Sequence, residues 1–214
     1  MIRNDGVSNS VIKRLPRYYR FLGELKEKGV VRISSKDLSN KMGFTASQIR
    51  QDLNCFGGFG QQGYGYNIES LYNEIGKILG VDKTRNAILI GAGNLGKAVA
   101  LHMSFEERGF NIIGIFDKNK ALVGQLLRGL PIRHTDNLFD FCKDNSPTVA
   151  VLCIPSSAAE ELAPQLVDLG IKGFWNFSHY DISVNHPEVA VENVHLSDSL
   201  MTLSYHVSNM ESKN

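Results

Sequence analysis

Apolar residues in the first part of the chain recur at helical spacing. Val11, Leu15, Tyr18, Tyr19, Leu22 and Leu25 fall three and four positions apart, which is the pattern of one buried helix face. A helix is predicted from about Ser10 to Lys28, stopped by Gly29. Pro16 lacks an amide hydrogen and would kink an interior turn, so a start at Pro16 itself is favoured. A short strand over Val30 to Ile33 and two short helices follow. A serine cap at Ser34-Ser35 opens the first of these helices and Gly43 closes it. Thr45 and Gln48 have capping-box spacing at the start of the second, which is predicted to reach about Phe56. From Phe56 to Tyr66, five glycines interleave with aromatic residues, a composition that suits a β-hairpin and rules out a helix. Ile68 to Leu79 returns to helical spacing, and Gly80 to Thr84 reads as a junction.

After Asn86 the pattern changes to strands alternating with helices. Ala87 to Ile90 is a continuous apolar run, as in a strand covered on both faces. A helix is expected from the following glycine turn to about Arg108. Further strands are expected at Asn111 to Phe116, Thr148 to Ile154, Gly173 to Asn176 and Val189 to Val194. A last helix is expected from Ser197 to Val207.

Charge sharpens this division. The formal net charge is only +1, but residues 1–66 carry 11 Lys and Arg against 5 Asp and Glu, while residues 67–214 carry 12 against 17. A basic segment joined to an acidic one suggests that only the first meets a polyanion. The hydrophobic fraction of 43% is that of an ordinary globular chain, and no apolar run approaches the roughly 18 residues of a membrane helix. The N-terminus, Met1-Ile2-Arg3-Asn4-Asp5, has no apolar signal core, so a cytoplasmic location is expected. Cys55, Cys142 and Cys153 lack the spacing of a zinc site or a redox pair and are expected to be reduced, buried thiols.

Gly91-Ala92-Gly93-Asn94-Leu95-Gly96 lies directly after an apolar strand and directly before a helix. Asp117 closes the next strand 21 residues beyond Gly96. That context is the dinucleotide-binding fingerprint of a Rossmann domain. Gly91 permits the tight turn, Gly93 lets the pyrophosphate approach the backbone, and Gly96 lets helix and strand pack closely. The helix N-terminus offers free N–H groups and a positive dipole to the pyrophosphate. Asp117 suits free ribose hydroxyls and would repel a 2′-phosphate, so NADH or NAD+ is expected rather than the phosphorylated cofactor; the neighbouring Lys118 softens that preference. Pro155, in the strand end Cys153-Ile154-Pro155-Ser156-Ser157, and Asn176 close later strands on the same edge, where they are candidates for the nicotinamide half or for structural loop roles.

If the third helix buries Ala46, Ile49, Leu53 and Phe56, its opposite face shows Ser47, Arg50, Gln51 and Asn54. Arg, Gln and Asn pair with guanine and adenine edges in the major groove. The hairpin, with Gln61, Gln62 and Tyr64, would be the wing against the adjoining backbone or minor groove. The alternative for this face is protein contact. The architecture expected is therefore α/β: a winged helix-turn-helix domain over 1–80, a Rossmann domain over 85–195, and a helix and tail over 196–214.

With both halves in view, the chain resembles the Rex family of NADH-responsive repressors. The matching residues are Lys13-Arg14-Leu15-Pro16 through Tyr18-Tyr19-Arg20, Ser34-Ser35, and Arg50-Gln51-Asp52-Leu53 with Phe56-Gly57. Gly63-Tyr64-Gly65-Tyr66, Gly91 to Gly96 and Asp117 also match, as do Gly170-Ile171-Lys172-Gly173 with Asn176-Phe177. The resemblance implies a homodimer that exchanges its C-terminal helix, binds palindromic double-stranded operator DNA when NADH is scarce, and releases it when NADH binds. It implies no catalysis.

This chain departs from the family pattern at Gln51, Gln61 and Gln62, which stand where basic residues are usual. The resemblance also implies a switch linking Arg20 to a tyrosine and to an aspartate of the partner chain; here those positions hold His102 and His195. A histidine does not supply the aspartate's negative charge. Two other functions fit a Rossmann domain: an NAD-dependent dehydrogenase, which needs a substrate domain with a placed acid or base, and a CoA-binding module, whose 3′-phosphate Asp117 disfavours.

Overall fold

A computed structural model describes residues 7–57, 60–61 and 64–212. The chain separates into two compact units, the first ending at Lys83 and the second beginning at Thr84.

The first unit opens with α1 (Asn9–Glu27), whose buried face is Val11, Leu15, Tyr18, Leu22 and Leu25, the residues the periodicity selects except Tyr19, which is half-buried. Pro16 does not start this helix; it lies in its interior. Burial of Leu15 and Tyr18 on either side offsets the roughly 3 kcal/mol that an interior proline costs. β1 (Arg32–Ile33) leads to α2 (Ser35–Met42), capped by the Ser34 hydroxyl, which accepts from the Asp37 N–H at 3.0 Å. α3 (Ala46–Asn54) is capped by Thr45 and ends two residues before Phe56, whose ring is buried beyond the helix end. β2 (Gly60–Gln61) and β3 (Gly65–Asn67) pair antiparallel as a hairpin, and β3 also pairs with β1. α4 (Ile68–Leu79) then packs on the same core through Ile68, Leu71 and Ile75. This is a winged helix-turn-helix.

The second unit is built on one seven-stranded sheet. Its strands are β4 (Arg85–Ile90), β5 (Phe110–Asp117), β6 (Leu126–Leu127), β7 (Leu130–His134), β8 (Val149–Leu152), β9 (Gly173–Asn176) and β10 (Ala190–Asn193). The order is β10-β9-β8-β4-β5-β7-β6, parallel except for the edge pair β6 and β7. Without β6 this is the six-strand Rossmann order, and its direction of winding reverses between β4 and β8. The helices are α5 (Asn94–His102), α6 (Leu138–Asn145), α7 (Ser156–Asp168), α8 (Ile182–Asn185) and α9 (Leu196–Glu211). The helix after the glycine turn stops at His102, short of Arg108: Met103 is extended, and only a single 3-10 turn follows at Glu106–Arg108.

Candidate functional site

In the first unit, α3 turns Ile49, Asp52 and Leu53 inward and leaves Ser47, Arg50, Gln51 and Asn54 exposed. Ala46, expected inside, is half-buried. Thr45 makes one half of the capping box: its Oγ1 accepts from the Gln48 N–H at 3.1 Å. The Gln48 side chain instead donates to Asp52 Oδ1 at 2.8 Å. Arg50 is already oriented, because its Nη1 donates to the Ser35 hydroxyl at the start of α2 at 3.0 Å. At the wing, Gln61 belongs to β2, Gln62 lies outside the described residues, and Tyr64 is exposed, its carbonyl accepting from Arg32 at 3.2 Å. The exposed face combines an arginine and two amide side chains on one turn-supported helix, the donors and acceptors that read base edges. Arg50→Ala should weaken binding to a specific duplex by about 1–3 kcal/mol and binding to random DNA far less. Equal losses on both duplexes would make Arg50 a phosphate contact.

Sequence reasoning passed over Asp52, a fully buried carboxylate. Burial alone would raise its pKa, but hydrogen bonds from Arg14, Gln48 and Tyr18 outweigh that and hold it below the ordinary value. Tyr18 is pushed well above its usual value, first by burial and then by its bond to this carboxylate. The signal was available: an acidic residue on the apolar face of an amphipathic helix requires a partner.

In the second unit, Gly91 sits at φ +96°, a left-handed conformation that favours glycine. A Cβ there would also strike the Cys153 carbonyl, which ties the turn to the end of β8. A Cβ on Gly96 would collide with the Gly91 carbonyl, so α5 and β4 approach each other only through glycine. Around Gly93 there is open space, and Gly93, Asn94 and Leu95 are exposed at the N-terminus of α5. Ala92 is buried, and its N–H donates to Asp117 Oδ2 at 2.7 Å. Asp117 Oδ1 accepts from the Asn119 N–H at 2.8 Å. The carboxylate thus stands at the rim of the phosphate-binding turn, with Lys118 exposed beside it. Pro155 is exposed and N-caps α7, across the point where the winding reverses.

Asn176 is placed differently from a ligand-facing side chain. It is fully buried, and its Nδ2 donates to the Tyr180 carbonyl at 2.7 Å and to Asn193 Oδ1 at 2.8 Å. Its Oδ1 accepts from the N–H and hydroxyl of Ser178 at 3.1 and 2.7 Å. Its hydrogen-bonding capacity is filled, so it shapes the loop after β9. Of the three thiols expected to be buried, Cys142 is buried and Cys153 half-buried, whereas Cys55 is exposed just beyond the end of α3. Burial pushes the Cys153 thiol up to about 12 and Cys142 to about 11, so neither supplies a thiolate for redox chemistry.

The three positions that the family resemblance links into a switch fall on different elements. Arg20 is exposed on α1. His102 ends α5, and His195 N-caps α9 with its ring 5.3 Å from that of His179 and Nδ1 3.6 Å from Asp198. His102 also lines an apolar concavity of about 740 Å³ with Phe105, Phe110, Val149 and Trp175. This concavity lies at the strand starts, the opposite edge from the glycine turn. Leu196, Leu200, Leu203, Val207 and Met210 form a second apolar surface, an exposed stripe along α9.

Residues 6–54 match the family described as "Putative DNA-binding protein N-terminus", and residues 82–180 match the family described as "CoA binding domain". A "Redox-sensing transcriptional repressor Rex" of Clostridioides difficile (strain 630) is 54% identical over 96% of this chain and 97% of its own. A solved structure of the repressor RSP in complex with beta-NAD+ and operator DNA is 56% identical and superimposes with a TM-score of 0.88, covering 96% of this chain and 94% of RSP. Another, in complex with beta-NADH, is 52% identical with a TM-score of 0.87, covering 97% of each.

Proposed function

The chain belongs to the Rex family of redox-sensing transcriptional repressors, and we propose that it holds operator DNA when NADH is scarce and releases it when NADH binds. The observation that carries this reading is the second unit's glycine turn. A Cβ at Gly91 or Gly96 would strike backbone, Gly93 is open, and Asp117 rims the turn. The cofactor is a ligand here, so no step of the function needs catalysis.

The pyrophosphate would rest on the exposed N–H groups of Gly93, Asn94 and Leu95 at the start of α5. Asp117 would accept from the adenosine ribose hydroxyls, and its charge disfavours a 2′-phosphate or the 3′-phosphate of CoA. Pro155 would border the nicotinamide half, while Asn176 holds the neighbouring loop in shape. Calorimetry with NADH, NADPH and CoA tests the assignment, and NADH should bind best. Asp117→Asn keeps an acceptor for the Ala92 N–H and removes the charge, so it should narrow the gap between NADH and NADPH. Equal affinities of the wild-type protein for both cofactors would refute the role of Asp117.

DNA would be read by Arg50, Gln51 and Asn54, with Ser47 and the wing residues Gln61, Gln62 and Tyr64 on the backbone. The active form would be a homodimer, matching a palindromic operator. The apolar stripe on α9 supports this, because exposed apolar surface of that extent marks an interface. Arg20, His102 and His195 would form the link between cofactor and DNA, with histidines weakening the charge pairing available to Arg20.

A further inference from the structure

The buried face of α3 carries a device that apolar packing does not supply. Asp52 Oδ2 accepts from Arg14 Nε at 2.7 Å and from the Tyr18 hydroxyl at 2.9 Å. Its Oδ1 accepts from Arg14 Nη2 and Gln48 Nε2, both at 2.8 Å. Three of these four bonds come from α1, and the fourth comes from the preceding turn of α3 itself. Arg14 meets the carboxylate as a bidentate fork, the most directional arrangement an ion pair adopts.

Such a pair is a poor source of stability. Removing two charges from water costs about as much as their attraction returns, and well-packed apolar residues often replace them without loss. What it supplies is direction. The apolar contacts of Ile49 and Leu53 are non-directional and tolerate a small roll of the helix about its axis. A roll of about 20° would carry atoms at the outer radius of a helix through about 2 Å. A shift of that size breaks a hydrogen bond to a base edge, whose donor and acceptor must lie within about 3.2 Å. Asp52 is two positions beyond Arg50 and one beyond Gln51, so its inward side chain and their outward ones turn together.

We infer that Asp52 is the positioning residue of the base-reading face: the Arg14–Tyr18–Gln48 clamp on its carboxylate fixes the rotation of α3 against α1, and with it the aim of Arg50, Gln51 and Asn54. The Arg50 bond to Ser35 then sets the guanidinium from the outer side. This rests on the reading of α3 as the DNA-recognition helix. It makes sequence discrimination, rather than DNA affinity in general, depend on a residue that touches no DNA.

The test uses the full chain carrying Arg14→Met and Asp52→Leu together. The pair removes one positive and one negative charge, so the net charge that faces any duplex is unchanged. Fluorescence anisotropy compares a duplex that the wild-type protein selects from a randomised library with a scrambled duplex of equal length, at one salt concentration and well below the unfolding temperature. Operator affinity should fall by about tenfold or more, the equivalent of one misplaced base-reading contact. Affinity for the scrambled duplex should stay within about twofold. Tyr18→Phe removes a single bond and no charge, and should shift the same ratio in the same direction by a smaller factor. It decides the matter alone if the double variant does not fold. An unchanged operator-to-scrambled ratio in the folded variants overturns the positioning role. A wild-type protein that selects no duplex overturns instead the reading of α3 on which the inference rests.

Discussion

Gly96→Ala should abolish the response to NADH while leaving the cofactor-free protein bound to its operator. A Cβ at this position meets the Gly91 carbonyl, a backbone atom held by the turn. Neither side yields as the tip of a flexible side chain would, so α5 must move away from β4. The N–H groups that α5 would present to the pyrophosphate move with it. NADH affinity should drop on the order of 100-fold, about 2.7 kcal/mol. The helix proposed to read DNA, α3, belongs to the other unit and keeps its own core, so operator affinity without cofactor should match wild type. The variant would repress at every NADH level. Gly93→Ala is the informative control, because a Cβ there meets no protein atom. Any loss of NADH affinity in that variant reports contact with the cofactor itself. NADH fluorescence titration beside an operator gel shift measures both quantities, and a Gly96→Ala protein with near wild-type NADH affinity would contradict the argument.

The largest effect on stability is expected from Asp52→Ala. It leaves Arg14 and the buried Tyr18 hydroxyl without their acceptor. Breaking one side of such a pair costs about 3–5 kcal/mol, and the partial exposure of Arg14 places this case toward the lower figure. Against a typical domain stability of about 5–15 kcal/mol, the first unit should melt far below wild type. The difference should depend on pH. Asp52 has a lower pKa folded than unfolded, so its contribution is fully present above the ordinary carboxylate value of about 4 and is lost as pH falls through the folded value. Thermal unfolding followed by circular dichroism should show the gap between wild type and Asp52→Ala shrinking toward pH 3. A gap that stays constant over that range would mean the carboxylate is not the charged anchor described here.

The elements with strong periodicity were legible in the chain. The helix over Ile68–Leu79 and the strand over Gly173–Asn176 agree at both ends, because asparagine and glycine caps bound the first and a continuous β-prone run marks the second. The region from Leu126 to Asn145 carries no comparable periodic signal. Its strands β6 and β7 are short, their pairing at the sheet edge is set by tertiary contacts, and α6 spans only two turns. The glycine turn with Asp117 was readable because each glycine answers a local steric demand. Asn176 was not, since its role depends on Ser178, Tyr180 and Asn193 converging on one side chain. Asp52 escaped for the same reason: Arg14 is 38 residues away in the chain.

NADH and operator DNA are expected to compete for one protein through its two units. Fluorescence anisotropy of a labelled operator duplex held by the protein, titrated in parallel with NADH, NAD+ and NADPH, is the decisive measurement. NADH should release the duplex at the lowest concentration, NADPH only at a much higher one, and NAD+ should leave it bound. A complex that is indifferent to NADH, or released equally by all three, would contradict the account.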